Sequence, residues 1–317
     1  LPIFDFDVAV EEATWLVENV IPMGHLCVNL AQAGVGKSLL VENLAVHVVC
    51  GVPFCGFPTV EGDVLLVDQD TPRNTLYRRL IQSFNALEQS KKHEITVESM
   101  GGYYMHDNTL LTLMRDHPSA RLIIIDSMHS VCGRLNPNYT SDMSYLAKLK
   151  EHCLNERNTI LFNHHITQKL VLTVDDLMLG ETNHLAMGNS AIIQQADSYY
   201  IIGAEAKEGK AERIYVRPVS KRIAIPTKPI IFRILATDTG EKIEYEGLYE
   251  PELELAEQDI LMLFREQMKE RTVRETYDDM GHKHGEKQIR SGLASLERKG
   301  LLFMSRHKAN LFKYRLP

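Results

Sequence analysis

AQAGVGKS, residues 31–38, is the stretch on which the reading of this chain turns. An apolar run at 28–30 leads into it, and residues 38–50 behind it carry apolar side chains at helical spacing. Strand, glycine loop and helix in that order match G-x-x-x-x-G-K-[ST] at every fixed position but the first, which is Ala31. Phosphate chemistry needs these residue types. Glycines at Gly34 and Gly36 let successive backbone N–H groups turn toward one point, and the helix that begins there adds the positive end of its dipole. Lys37 supplies a compact charge for the β- and γ-phosphates, and the Ser38 hydroxyl suits Mg2+. The backbone of Gly34, Val35, Gly36, Lys37, Ser38 and Leu39 is thus the expected cradle, with ATP and Mg2+ as the pair this pattern holds.

Outward from the loop, short apolar runs alternate with helical stretches. DVLLV (63–67) precedes a helix over 71–87, RLIII (121–125) a helix over 142–156, and TILF (159–162) a helix over 191–196. A strand at 198–202 follows, then 213–219 and 230–235 as hairpin strands. Apolar strands alternating with helices predict an α/β fold with a mostly parallel sheet covered on both faces. Ligands of such sheets bind beyond the carboxyl ends of the strands, and three runs end in chemistry there. RLIII ends at Asp126, placed to hold a Mg2+ water opposite Ser38. DVLLV ends in DQDTP (68–72), where Asp68 and Asp70 are candidates for the base that orients an attacking water; either could instead cap the helix ahead of Pro72. TILF ends in NHHITQK (163–169), whose polar groups could sense a γ-phosphate. Its paired histidines also suit a metal, but no third ligand stands at a metal spacing.

The chain has 317 residues, 44% hydrophobic and 24% charged. That predicts about two domains and excludes a disordered, collagenous or fibrous chain. No apolar run approaches the ~18 residues of a membrane span; the longest, around 44–52, is interrupted by His47 and Gly51. Cys27, Cys50, Cys55, Cys132 and Cys153 contain no C-x-x-C pair, and the acidic start LPIFDFDVAVEE lacks a secretory layout. The expectation is a cytoplasmic protein with no membrane partner.

The net charge of −7 hides an asymmetry. From Gln258 onward there are 13 Lys/Arg against 8 Asp/Glu, whereas the remainder holds 22 against 34. A basic tail on an acidic body predicts a polyanion partner at one end only. The tail reads as helices over 255–269, 272–280 and 286–299 followed by a hairpin, the pattern of a winged helix. Its third helix would then read a duplex DNA groove, with Lys283 just before it and Lys287, Gln288 and Arg290 at its early positions; the wing adds Arg306, Lys308 and Lys313. The acidic stretch 237–254, with Gly240, Gly247 and Pro251, is the expected linker between domains at 1–236 and 255–317.

Taken in order, WLVENVIPMGHLCVNLAQAGVGKSLL, DVLLVDQDTPRNTLYRRL, RLIIIDSMHSV, TILFNHHITQK and GNSAIIQQADSYYII resemble the RepA-like branch of the RecA/DnaB ATPases, hexameric P-loop motors of plasmid and phage replication. The resemblance spans residues 15–235. It implies a RecA-type core with nucleotide at subunit interfaces and a basic finger supplied by the neighbour. It assigns Lys37 and Ser38 to phosphate and Mg2+, Asp126 to the Walker B carboxylate, His165 to the sensor, and Lys221 and Arg222 to the trans finger. One departure bears on catalysis. Gln69 stands where the family has its Glu base, and an amide cannot accept the proton. Either Asp70 or Asp68 substitutes, or hydrolysis is slow and the protein is an ATP-dependent assembly switch. Residues 170–187, where such motors carry DNA-facing loops, hold Asp175, Asp176 and Glu181 but no Lys or Arg, which counts against a processive helicase.

The expectation is therefore an ATP-binding, weakly hydrolysing homo-hexamer or similar ring. It would act on DNA in replication of a plasmid, phage or other mobile element, as helicase or DNA-bound assembly factor, with other replication proteins as partners. The alternatives are an ATP-switched DNA-binding regulator that unwinds nothing and a KaiC-like signalling ATPase.

Overall fold

The structure is a computed structural model that describes residues 13–135, 144–166, 173–179, 191–207, 210–221, 225, 228–251, 253–281, 283–308 and 311–317. Its first unit comprises 1–171 and 183–248. The elements there run β1 (Trp15–Val17), β2 (Ile21–Pro22), β3 (Leu26–Ala31), α1 (Lys37–Cys50), β4 (Asp63–Asp68), α2 (Arg73–Leu87), β5 (Ile95–Ser99), α3 (Thr109–Asp116), β6 (Ala120–Asp126), α4 (Met128–Cys132), α5 (Tyr145–Glu156) and β7 (Thr159–His165). After α6 (Val174–Leu179) come α7 (Ala191–Gln195), β8 (Ser198–Lys207), β9 (Lys210–Ser220), β10 (Ile230–Thr237) and β11 (Gly240–Leu248).

Nine strands form one sheet in the order β11, β10, β9, β8, β3, β7, β6, β4, β5. From β8 to β5 all pairs are parallel. The flank from β8 to β11 is antiparallel. The expected α/β fold with a mostly parallel sheet is the one observed. Its physical basis is plain in β3, β6 and β7, whose apolar residues are buried on both faces because helices cover both. α1 is buried from Leu40 through Cys50 and stops at Gly51, whose φ of 64° suits glycine. α2 turns Leu76, Leu80 and Ala86 inward. With Val64, Leu66, Leu122, Ile124 and Leu161 of the sheet, these helices share one core that also takes in Ile214, Phe232 and Ile243 of the antiparallel flank.

The stretch expected as a linker is different in the structure. Residues 240–248 are β11, paired with β10 from Ile230↔Leu248 to Thr237↔Gly240. Alternation in GEKIEYEGL buries Ile243 on the core side while the acidic residues face solvent, so high charge here marks an edge strand, not a tether. The hairpin tip seats on α2. A Cβ at Gly240 would lie 2.7 Å from the carbonyl oxygen and the Cβ of Gln82, a contact only glycine allows.

The second unit comprises 172–182 and 249–317. The boundary thus falls at 248/249, not at 236 and 255, and α6 belongs with the tail. There Tyr249 donates to Asp175, and the Thr173 hydroxyl and Asp176 carboxylate cap one another. Three helices, α8 (Leu255–Gln267), α9 (Val273–Met280) and α10 (Glu286–Arg298), precede the antiparallel hairpin β12 (Phe303–Lys308) and β13 (Leu311–Arg315). Ile260, Phe264, Ile289, Leu293, Leu296 and Leu302 form the core. Gly292 admits the close approach of α8 to α10, since a Cβ there would meet Ile260 Cδ1 at 2.7 Å.

Candidate nucleotide site

Strand register brings the sequence-predicted residues to one edge of the sheet. Ala31 lies opposite His165, Asn163 opposite both Asn29 and Asp126, and Asp126 opposite Asp68. A cleft of about 400 Å³ opens there, lined by Ala33, Gly34, Gly36, Lys37, Ser38, Leu39, Asp70, Asp126 and His165, with Glu42, Thr71, Arg79, Gln82, Ser83 and Glu241 completing its walls.

The loop is built as the motif requires. Gly34 and Gly36 have φ of 79° and 87°, a region closed to most side chains, and a Cβ on Gly36 would also meet Ile214 Cδ1 at 2.9 Å. Ala31 is still a strand residue, which is why the first motif position tolerates a side chain. α1 begins at Lys37, so its free N–H groups face the cleft. Val35 packs partly into the core. The Lys37 ammonium donates to the Gln32 carbonyl at 2.9 Å and lies 3.5 Å from His165 Nδ1. Burial lowers its pKa, with Asp126 opposing. The Ser38 hydroxyl donates to Asp126 Oδ2 at 2.7 Å, which places two hard oxygens side by side. This pair fits Mg2+, and Lys37 with the glycine-bent backbone fits the phosphates of ATP.

The strand tip after β4 separates three residues that sequence left equivalent. Asp68 is 1% exposed, and its Oδ1 accepts the N–H groups of Asp70 at 2.8 Å and Thr71 at 2.7 Å. It shapes the turn, and burial pushes its carboxyl up. Gln69 points away from the cleft, its amide donating to the Tyr103 carbonyl at 3.2 Å and accepting from Gly102 N–H at 3.3 Å. Asp70 is the one that lines the cleft, oriented by the Ser127 hydroxyl, which donates to its Oδ2 at 3.1 Å. The cap of α2 is Pro72, with no side-chain bond, so Asp70 is not spent on the helix.

On β7, alternation decides between the histidines. His164 is buried, whereas His165 faces the cleft, and burial together with Lys37 pulls its pKa down toward a neutral ring. Among the described residues no His/Cys/Asp/Glu trio forms a metal cluster. Lys221 is not in the cleft lining; its ammonium donates to the Ile193 carbonyl and lies 5.9 Å from the Tyr199 ring centroid. Arg222 lies outside the described residues.

An ion pair in the cleft wall escaped the sequence reading. Glu42 on α1 and Arg79 on α2 form an ion pair of 2.8 Å. A lone acid in the apolar run LLVENLAVHVV was the available signal.

In the second unit Lys283, Lys287, Gln288 and Arg290 are exposed at and before the start of α10. Gln288 is partly committed, its Oε1 accepting from Gly285 N–H at 3.1 Å, and Arg290 reaches Glu286 at 3.1 Å. Arg306 and Lys308 fall on β12.

Fold and cleft together define a RecA-like P-loop ATPase. The family model described as "AAA domain" (AAA_25) matches residues 2–169, more than half of the chain, and the chain belongs to that family. Among solved structures the chain is similar to a KaiC-like protein from the hyperthermophilic archaeon Pyrococcus horikoshii OT3, at 18% identity and a TM-score of 0.47, covering 73% of this chain and 93% of that one. No curated protein matches the chain. No helix among the described residues is long and apolar enough to cross a membrane.

Proposed function

We propose that this protein is a Mg2+-dependent ATPase that assembles into a ring and holds duplex DNA through its C-terminal unit. It serves replication of a plasmid, phage or other mobile element as a DNA-bound assembly factor, not as a processive helicase. The observation that carries the reading is the Ser38–Asp126 contact of 2.7 Å in a cleft that also holds Lys37.

The backbone of residues 34–39 and Lys37 bind the phosphates. Ser38 and Asp126 would hold Mg2+, which when bound draws charge from the β- and γ-oxygens. Asp70, held by Ser127, takes the proton of the attacking water, and Gln69 leaves that role to it. His165 sits where the terminal phosphate is felt, and Lys221 with Arg222 serves a neighbouring subunit. On the DNA side, Lys283, Lys287 and Arg290 meet phosphates or guanine edges, and the Gln288 amino group remains for an acceptor on a base. This C-terminal unit is read as a winged helix, with β12 and β13 as its wing. The absence of Lys and Arg from residues 170–187 supports assembly over unwinding.

The test is ATP turnover, duplex binding across a salt series and strand displacement on the same preparation. Turnover with salt-sensitive duplex binding and no displacement supports the reading. Turnover without duplex binding favours a signalling ATPase, and lack of affinity for ATP with Mg2+ ends the nucleotide reading itself.

A further inference from the structure

Glu42 lies one helical turn beyond Ser38 on α1 and is 1% exposed. Arg79 reaches it from α2, with Nη2 2.8 Å from Glu42 Oε1 and 3.9 Å from Asp68 Oδ2. Both side chains line the nucleotide cleft, and among the described residues Lys37 and Arg79 are the Lys/Arg residues of that lining, one from the phosphate loop and one from α2. The pair is incompletely satisfied. Among the described residues Glu42 Oε2, Arg79 Nε and Arg79 Nη2 have no hydrogen-bond partner of good geometry, although all three atoms are buried, so the 2.8 Å contact is an ion pair. Such atoms call for an explanation beyond stability.

Stability does not supply one. Replacing both members of a buried ion pair by apolar residues of similar volume is often neutral or stabilising, so the fold by itself does not call for this pair. Burial, with Asp126 and Asp68 close by, pushes Glu42 up to about 8 in spite of Arg79. Protonated or ionised, its Oε1 remains an acceptor 2.8 Å from Arg79 Nη2. Arg79 is itself about one-third exposed (its side chain 36%), so without that acceptor its long side chain is free to swing into solvent. The alternative anchor, Asp68, already gives Oδ1 to its own turn.

We infer that Glu42 is a positioning residue: its carboxyl oxygen fixes the Arg79 guanidinium on the α2 wall of the cleft, where Arg79 meets the third phosphate of a nucleoside triphosphate. The inference rests on the nucleotide reading of the cleft and adds what distinguishes a triphosphate from a diphosphate there. A planar guanidinium held through Nη2 keeps Nη1 in a fixed direction, where its N–H groups can meet a phosphate oxygen.

The experiment measures dissociation constants for AMP-PNP and for ADP, both with Mg2+, on the full chain. The variants are Glu42→Leu, Glu42→Gln, Arg79→Ala, the Glu42→Leu/Arg79→Ala double variant and Lys37→Ala. Glu42→Leu and Arg79→Ala are each expected to weaken AMP-PNP about tenfold and leave ADP within about twofold, the size of one charge-assisted hydrogen bond. Glu42→Gln keeps the acceptor and restores AMP-PNP binding. The double variant is no weaker than Arg79→Ala alone, because Glu42 acts through Arg79. Thermal melts accompany each protein, and Glu42→Met, of similar volume, replaces Glu42→Leu if the latter does not fold. The inference is overturned if the apolar variant weakens both nucleotides equally, leaves AMP-PNP unchanged, or adds its full effect to that of Arg79→Ala. If Lys37→Ala binds both nucleotides as well as the unaltered chain does, the nucleotide reading fails and takes this inference with it. If Lys37→Ala loses both while the apolar Glu42 variant loses neither, only this inference falls.

Discussion

The cleft at the strand tips and the exposed face of α10 handle charge in opposite ways. In the cleft, functional side chains arrive already held: Lys37 on a carbonyl of its own loop, Ser38 on Asp126, Asp70 on Ser127. On α10, Lys287 stands in solvent, and Arg290 pairs with an exposed glutamate four residues away. Prearranged groups suit one small ligand of fixed shape, since little order is lost when it binds. Long solvated cations suit a polymer with charge everywhere, where register matters less than number.

That contrast can be broken most severely at Lys37. Lys37→Ala is expected to weaken Mg2+-ATP binding on the order of 1,000-fold, as for a cation removed from a buried charge pair. A fluorescent-nucleotide titration would read it, and retention of affinity would refute the cleft. Next is Asp70→Asn, which should cut turnover about 100-fold or more while ATP affinity stays within about twofold. Single-turnover kinetics separate the two effects, and unchanged turnover would dismiss Asp70 as the base. In the second unit, Lys287→Ala with Arg290→Ala should weaken duplex binding about tenfold near physiological salt and lower the salt slope by about two. Equal loss on every duplex sequence sharpens the view of a backbone contact, whereas loss on one sequence only would mean base readout. The smallest effect is assigned to Gln69→Ala. It removes two bonds to the 102–103 segment, lowers stability by about 1 kcal/mol and leaves turnover within about twofold. A large fall in turnover would put Gln69 back in the chemistry.

What the sequence made legible was local. The phosphate loop, Asp126 and His165 are each written in a few consecutive residues at a strand end, so strand, tip and helix could be placed without knowing what lies beside them. Asp68, Gln69 and Asp70 were not separable that way. Which of the three faces the cleft depends on a turn closed by Asp68 and on a distant backbone at Gly102 and Tyr103. Glu42 and Arg79 were missed for a related reason, since 37 positions divide them and neither carries a motif. The sheet's far edge was misread because its acidic residues outweighed the alternation around Ile243, and its partner is the core rather than the neighbouring sequence. On the tail, helix boundaries came within two residues of those observed, because capping residues such as Thr272 announce them.

The seat of the β10–β11 tip against Gln82 bears on how this molecule can be shortened. A protein trimmed at Thr237 would strip the outermost strand, uncover the apolar face around Phe232 and leave a sticky border open to aggregation. Trimming after Leu248 instead keeps that border covered, and leaves α6 exposed to the loss, since its partner Tyr249 goes with the tail.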